Sequence, residues 1–236
     1  MIELAFSFVT LALLEIVLGI DNLIFIALVV GNLPKEYRKK AQFIGISLAL
    51  IIRTVMLFGA TWLMTLTEPL FSVMDKAISF KDLLMLLGGI FLLFKATMEM
   101  HLDLSGKEER KEIIAKASFG GAVIQIAIID FVFSFDSIIT AVGVSNNLWV
   151  MVAAVVVSMI VMLMAVNSVT KFLEENPTFK ILALSFILMI GMMLVADGLH
   201  FHIPRGYIYF SFAFAAFIEV LNTVGRKKRE KRKKHD

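Results

Sequence analysis

The amino-acid sequence predicts an all-α polytopic membrane protein of seven transmembrane helices, built as two inverted three-helix repeats plus one extra helix. Three observations carry that expectation. Hydrophobic residues make up 59% of the chain, charged residues only 18%, and mean hydropathy is +0.86, outside the balance of a water-soluble domain. Apolar runs long enough to cross a bilayer recur from end to end. The basic residues gather on one side of the membrane that those runs would cross.

The runs place helices near 4–30, 40–66, 83–98, 119–143, 148–170, 179–199 and 207–224. The first is no signal peptide: it lacks a basic leading segment and a small-residue cleavage pattern, and it is long enough to span. One transmembrane domain, 1–224, therefore accounts for the chain, with repeat one at about 4–98, repeat two at about 119–199 and the extra helix at 207–224. A basic tail, 225–236, follows.

Charge orients the domain. Lys35, Arg38, Lys39 and Lys40 follow helix one, and Lys107, Arg110, Lys111 and Lys116 follow helix three. Lys171 and Lys180 flank the next turn on that side, and eight more cations fill the tail from Arg226 to Lys234. Lys76, Lys81 and Arg205 are all the opposite side receives. The positive-inside rule then puts the N-terminus outside and the C-terminus in the cytoplasm, which an odd helix count requires. Directly after a membrane helix, the tail reads as attraction to anionic lipid headgroups, with no nucleic-acid partner. The absence of Cys excludes disulfides and thiolate metal sites.

The repeat is written most clearly in its acids. Glu15-Ile-Val-Leu-Gly-Ile-Asp21-Asn22 and Asp130-Phe-Val-Phe-Ser-Phe-Asp136-Ser137 each hold two carboxylates six positions apart in an apolar run. At an offset of 115 residues, Glu15 falls on Asp130, Gly19 on Ser134, Asp21 on Asp136 and Asn22 on Ser137. With one gap, Arg53-Thr54 falls on Asn167-Ser168, and the stretch ending at Lys95 matches the one ending at Asp197, which sets Gly89 on Gly191. A three-helix unit re-enters the membrane from the other side, so the copies are inverted, and such repeats hold substrate at their interface near mid-membrane.

A carboxylate at bilayer depth costs roughly 2.5–3.5 kcal/mol on insertion scales, so four in matched pairs point to a task other than stability. On an unbroken helix, residues six apart point about 120° from one another. Either the helices unwind near Gly19 and Ser134, as broken transporter helices do, or each acid serves a different neighbour. Local unwinding is the expectation here. The candidate metal site is Glu15, Asp21, Asn22, Asp130, Asp136 and Ser137. Every donor is oxygen, which suits Mg²⁺, Ca²⁺ or Mn²⁺ rather than a soft metal. Clustered acids also resist joint ionisation, which suggests proton coupling. The plainer alternative is a structural polar cluster in which Arg53 and Lys95 neutralise acids. Arg53, Asn167, Asp197 and Glu219 stand as supporting candidates. His101, His200 and His202 sit at helix ends as interfacial residues, and the 14 Met read as packing.

Both motifs, with the continuation Asp136-Ser-Ile-Ile-Thr-Ala-Val-Gly143 and Gly206-Tyr-Ile-Tyr209 before the last helix, resemble the TerC family of integral membrane proteins. The resemblance extends over essentially the whole chain. It implies a seven-helix fold, a bacterial cytoplasmic-membrane location and a role in metal-ion homeostasis, with manganese export as the activity and the motif acids handling the ion. No permanently bound cofactor is implied; the metal is cargo. Large relatives carry cytoplasmic regulatory domains for which this chain has no counterpart.

Other functions fit less well. An intramembrane aspartyl protease would use Asp21 and Asp136, but Asp21 lies in Leu-Gly-Ile-Asp, and Glu15 and Asp130 would be superfluous to a dyad. A retinal protein needs a Lys that 207–224 lacks. A carrier of another cationic solute and a membrane scaffold for biogenesis remain as alternatives, the latter indifferent to Asp21 and Asp136.

Overall fold

The computed structural model describes residues 2–73, 76–105, 118–145 and 147–233. The charged stretch Lys107–Lys116, expected to form a solvated cytoplasmic helix or loop, lies outside them, as does the end of the tail from Lys234. Helices dominate: α1 (Ile2–Leu18), α2 (Ile20–Gly31), α3 (Lys35–Phe58), α4 (Ala60–Thr65), α5 (Phe80–Ser105), α6 (Phe119–Val144), α7 (Leu148–Glu175), α8 (Pro177–Gly198) and α9 (Arg205–Lys233). Among the described residues six of these are long and apolar enough to cross a membrane, or seven if α1 and α2, bent by 40° at their junction, count as one span. The protein is an all-α polytopic membrane protein.

Local chemistry explains the boundaries. The first span bends at Gly19 because nothing larger fits there: a Cβ would sit 2.8 Å from the Glu15 carbonyl oxygen and 3.0 Å from Met162 Sδ on α7. Gly59 separates α3 from α4, so the second span ends earlier than the predicted 40–66 and begins sooner. The third span runs 80–105, well beyond 83–98. It opens on a reciprocal cap in which the Ser79 hydroxyl accepts from Asp82 N at 3.2 Å and Asp82 Oδ2 accepts from Ser79 N at 2.8 Å. Asn147 caps α7 by accepting from the amides of Trp149 and Val150, and Pro177 opens α8 in the first helical turn. An unforeseen antiparallel strand pair, β1 (Pro69–Val73) and β2 (Lys76–Ser79), joins α4 to α5.

Packing is reciprocal between the halves. The first span packs on α7, α3 packs on α6, and α5 and α8 share the most extensive contact in the fold. Gly89 and Gly191 meet at that last seam, where each backbone lies so close to the other that a Cβ on Gly89 would stand 2.7 Å from the Gly191 carbonyl oxygen. Between them lies one continuous apolar core that includes Leu11, Val30, Leu92, Ile126, Val166 and Phe186. The last helix, α9, stands apart: it rests chiefly on α8 and is otherwise exposed along its apolar length.

Candidate ion site

Half-way along the first span, Glu15 projects inward just before the bend, and Asp21 and Asn22 follow in the first turn of α2. Asp130 faces them from the middle of α6, and Arg53 reaches between from α3. All five side chains are buried, with residual exposures of 1–3%. The Arg53 guanidinium spans two acids: Nη1 donates to Glu15 Oε2 at 2.7 Å and Nη2 to Asp130 Oδ1 at 2.7 Å. Its Nε donates to both Asp130 oxygens at 3.2 Å. Asn22 Nδ2 adds a bond to Asp130 Oδ1 at 3.0 Å, and the Ser134 hydroxyl donates to Asp130 Oδ2 at 3.2 Å. Ser137 donates to the Ser134 carbonyl oxygen and lies within hydrogen-bonding range of Glu15.

The fourth span is not unwound at its motif. Helix α6 runs unbroken through Ser134, whose hydroxyl also bonds the Asp130 carbonyl oxygen one turn back, an arrangement an intact helix provides. The two motifs, equivalent in sequence, are therefore unequal in shape, and only the glycine-bearing one bends.

The second acid of each motif leads elsewhere. Asp136 accepts from Arg205 Nη2 at 2.8 Å and pairs with Lys81 Nζ at 3.4 Å. Asp21 accepts from the Tyr209 hydroxyl at 3.2 Å, and Tyr209 stands one turn after Arg205 on α9. Asp21, Tyr209, Arg205, Asp136 and Lys81 thus form a polar chain toward the end of the bundle that carries the strand hairpin. There it opens into a polar cavity of about 160 Å³ lined by Lys81, Asp82, Met85, Asp136, Asp197, His200, His202 and Arg205. His200 meets Asp82 Oδ2 at 3.1 Å and His202 meets Asp197 Oδ1 at 3.2 Å. A larger cavity of about 430 Å³, between α3, α5 and α6, is lined by apolar residues such as Ile52, Leu87, Phe91 and Phe131 and contains none of the acids.

Two atoms in the buried centre are without a partner. Asp21 Oδ1 and Asn22 Oδ1 are both inaccessible to solvent and receive no hydrogen bond from the protein. A buried oxygen left so costs about 1–3 kcal/mol, more when charged, so adjacent orphans mark a place where something outside the fold supplies the partner.

The six expected ligands therefore divide. Glu15, Asp130, Asn22 and Ser137 share one buried cluster with Arg53, Asp21 adjoins it, and Asp136 belongs to the cavity end. No three His, Asp or Glu among the described residues converge in a metal-holding arrangement. Of the supporting candidates, Arg53 is central and Asp197 lines the cavity. Asn167 is exposed on α7, and among the described residues Glu219 bonds its own helix, through Asn222 and Thr223 at 3.5 Å each. Lys95 pairs with Glu99 at 3.3 Å, not with the motif acids. Sequence reasoning missed Tyr209 and the reach of Arg205 and Lys81. Their signal was the placement of Arg205 and Tyr209 one helical turn apart at the start of the last span.

The integral membrane protein TerC family model matches residues 2–234. The chain belongs to the TerC family. Among its relatives, the inner membrane protein YoaE of Escherichia coli K12, a UPF0053 protein, is 52% identical over 219 residues, 92% of this chain but 42% of YoaE. The UPF0053 inner membrane protein YgdQ of the same strain is 45% identical over 219 residues, 93% of this chain and 92% of YgdQ. The UPF0053 protein YegH is 49% identical over 215 residues, 91% of this chain and 41% of YegH. The chain thus spans about two-fifths of YoaE and YegH and nearly all of YgdQ. No solved structure matches. These relatives and the membrane-crossing helices make this TerC-family chain a bacterial inner membrane protein.

Proposed function

We propose that the chain carries a divalent metal cation across the inner membrane, with manganese export from the cytoplasm as its activity and protons as the coupling ion. The observation that carries the reading is the pair of orphaned buried oxygens, Asp21 Oδ1 and Asn22 Oδ1, beside the Glu15–Arg53–Asp130 cluster. Carboxylate and amide oxygens suit a hard cation, and these are the donors of the two motifs. The polar cavity supplies a route to one membrane face. By the distribution of Lys and Arg that face is the outer one, which fits N-out/C-in topology and an exit for exported ions. Reciprocal packing of the halves, with Gly89 against its counterpart Gly191, supports inverted repeats that alternate access by rocking. On this reading the chain is a transporter and no enzyme, and its basic tail attracts anionic headgroups.

The test is intracellular metal content in manganese-loaded cells expressing wild type, Asp21→Asn or Asp136→Asn. Export predicts lower manganese with wild type and no reduction with either variant at equal membrane abundance. Unchanged metals in all three would leave the scaffold reading, which the clamp of Arg53 on two acids favours as a helix-fastening device. Proton coupling is tested separately: flux that ignores both pH and the proton gradient would end it.

A further inference from the structure

We infer that Arg53 is a tethered counter-ion: its guanidinium occupies the Glu15–Asp130 pair when cargo is absent and yields those oxygens when cargo arrives. The inference rests on the transport reading and specifies what returns the empty carrier. Asp130 has no acceptor capacity to spare in this arrangement, since Arg53, Asn22 and Ser134 together engage both of its oxygens. Glu15 is held by the other arm of the fork. A cation entering at the orphaned Asp21 and Asn22 oxygens can recruit Glu15 and Asp130 only if the guanidinium lets go.

The placement suits such an exchange. Arg53 stands on α3, Glu15 on the first span and Asp130 on α6, so the fork ties a carboxylate from each half to a third element. The halves are unequal here, because Asn167, the sequence counterpart of Arg53, is exposed on α7, and among the described residues the cation paired with Glu15 and Asp130 is Arg53. Guanidinium is never deprotonated in a protein, so it neutralises buried carboxylates without taking up a proton. An unloaded carrier whose acids hold Arg53 can reorient. Without Arg53, Glu15 and Asp130 need either metal or two further protons to cross, so unloaded return slows and exchange of metal for metal dominates.

The experiment uses the full chain in proteoliposomes with labelled Mn²⁺, measuring net downhill flux and one-for-one exchange at equal Mn²⁺ on both sides. Wild type should perform both, and Asp21→Asn neither. Arg53→Gln should lose net flux by roughly tenfold or more, keep exchange within about threefold, and bind Mn²⁺ at least about tenfold more tightly, a shift of 1.4 kcal/mol. Arg53→Lys keeps a charge on a flexible stem and should preserve the wild-type ratio of net flux to exchange. Equal loss of both modes in Arg53→Gln and Arg53→Lys would overturn the inference in favour of a fold-holding clamp, as would net flux that survives Arg53→Gln. Wild type that moves Mn²⁺ in neither mode would remove the transport reading itself, and this role with it.

Discussion

Replacing Gly89 by Ala tests how tightly the two halves are joined. The added Cβ would stand 2.7 Å from the Gly191 carbonyl oxygen and 2.8 Å from Val195 N, both backbone atoms of α8 that no rotamer change can move. Ordinary contact begins at 3.4 Å, so α5 and α8 must separate by about 0.7 Å. A gap of that size forfeits about a quarter to a half of the dispersion attraction across the contacts it opens. Overpacking of this kind costs about 1–3 kcal/mol, against which the better helix propensity of Ala returns about 1 kcal/mol. The net effect is a loss of up to about 2 kcal/mol, or up to about 8 °C in Tm at 2–4 °C per kcal/mol for a chain this size. Gly143→Ala is the internal control, since a Cβ there meets nothing within 4 Å and should gain stability through propensity alone. Thermal unfolding of both variants in the same detergent reads the difference. Equal melting temperatures for the two would refute the claim that backbone contact at Gly89 sets the α5–α8 distance.

Other perturbations separate holding from function. Glu15→Ala leaves half of the buried Arg53 fork unpaired and should cost about 3–5 kcal/mol, whereas Glu15→Gln keeps an acceptor and should cost less, as detergent melting would report. Asp21→Asn should retain the fold, because Tyr209 can still donate to the amide oxygen, while abolishing manganese efflux from cells. Tyr209→Phe leaves the second buried oxygen of Asp21 unpartnered and should cost about 1–3 kcal/mol in unfolding, with export weakened rather than lost. Arg205→Gln removes the charged partner of Asp136 at the cavity wall and should lower manganese efflux from cells while detergent melting shows the fold retained.

The spans were legible because bilayer depth leaves few ways to write a helix: apolar runs located the membrane-crossing helices, with ends displaced where Gly59 and the Ser79 cap intervene. The bend at Gly19 was legible because a glycine stands where a Cβ would crowd both the Glu15 carbonyl oxygen and Met162 Sδ. The matching break at Ser134 was not there to be read, because a hydroxyl can bond back along its own helix. Which acid Arg53 would choose lay beyond charge counting; it took both first acids and left Asp21 with a bare oxygen. Asn167 shows the limit of a gapped match, where the register agreed and the helix face did not. The strand pair went unread because Pro69–Ser79 is too short and mixed to stand out between greasy runs.

Helix α9 touches the rest of the bundle mainly through α8, yet it carries the two side chains that hold Asp21 and Asp136. Its remaining surface meets acyl chains, and a lipid-facing helix answers a thicker or thinner hydrocarbon layer by changing its lean. A change of lean would carry Arg205 and Tyr209 with it, so a shift in fatty-acid composition is expected to alter the grip on both acids.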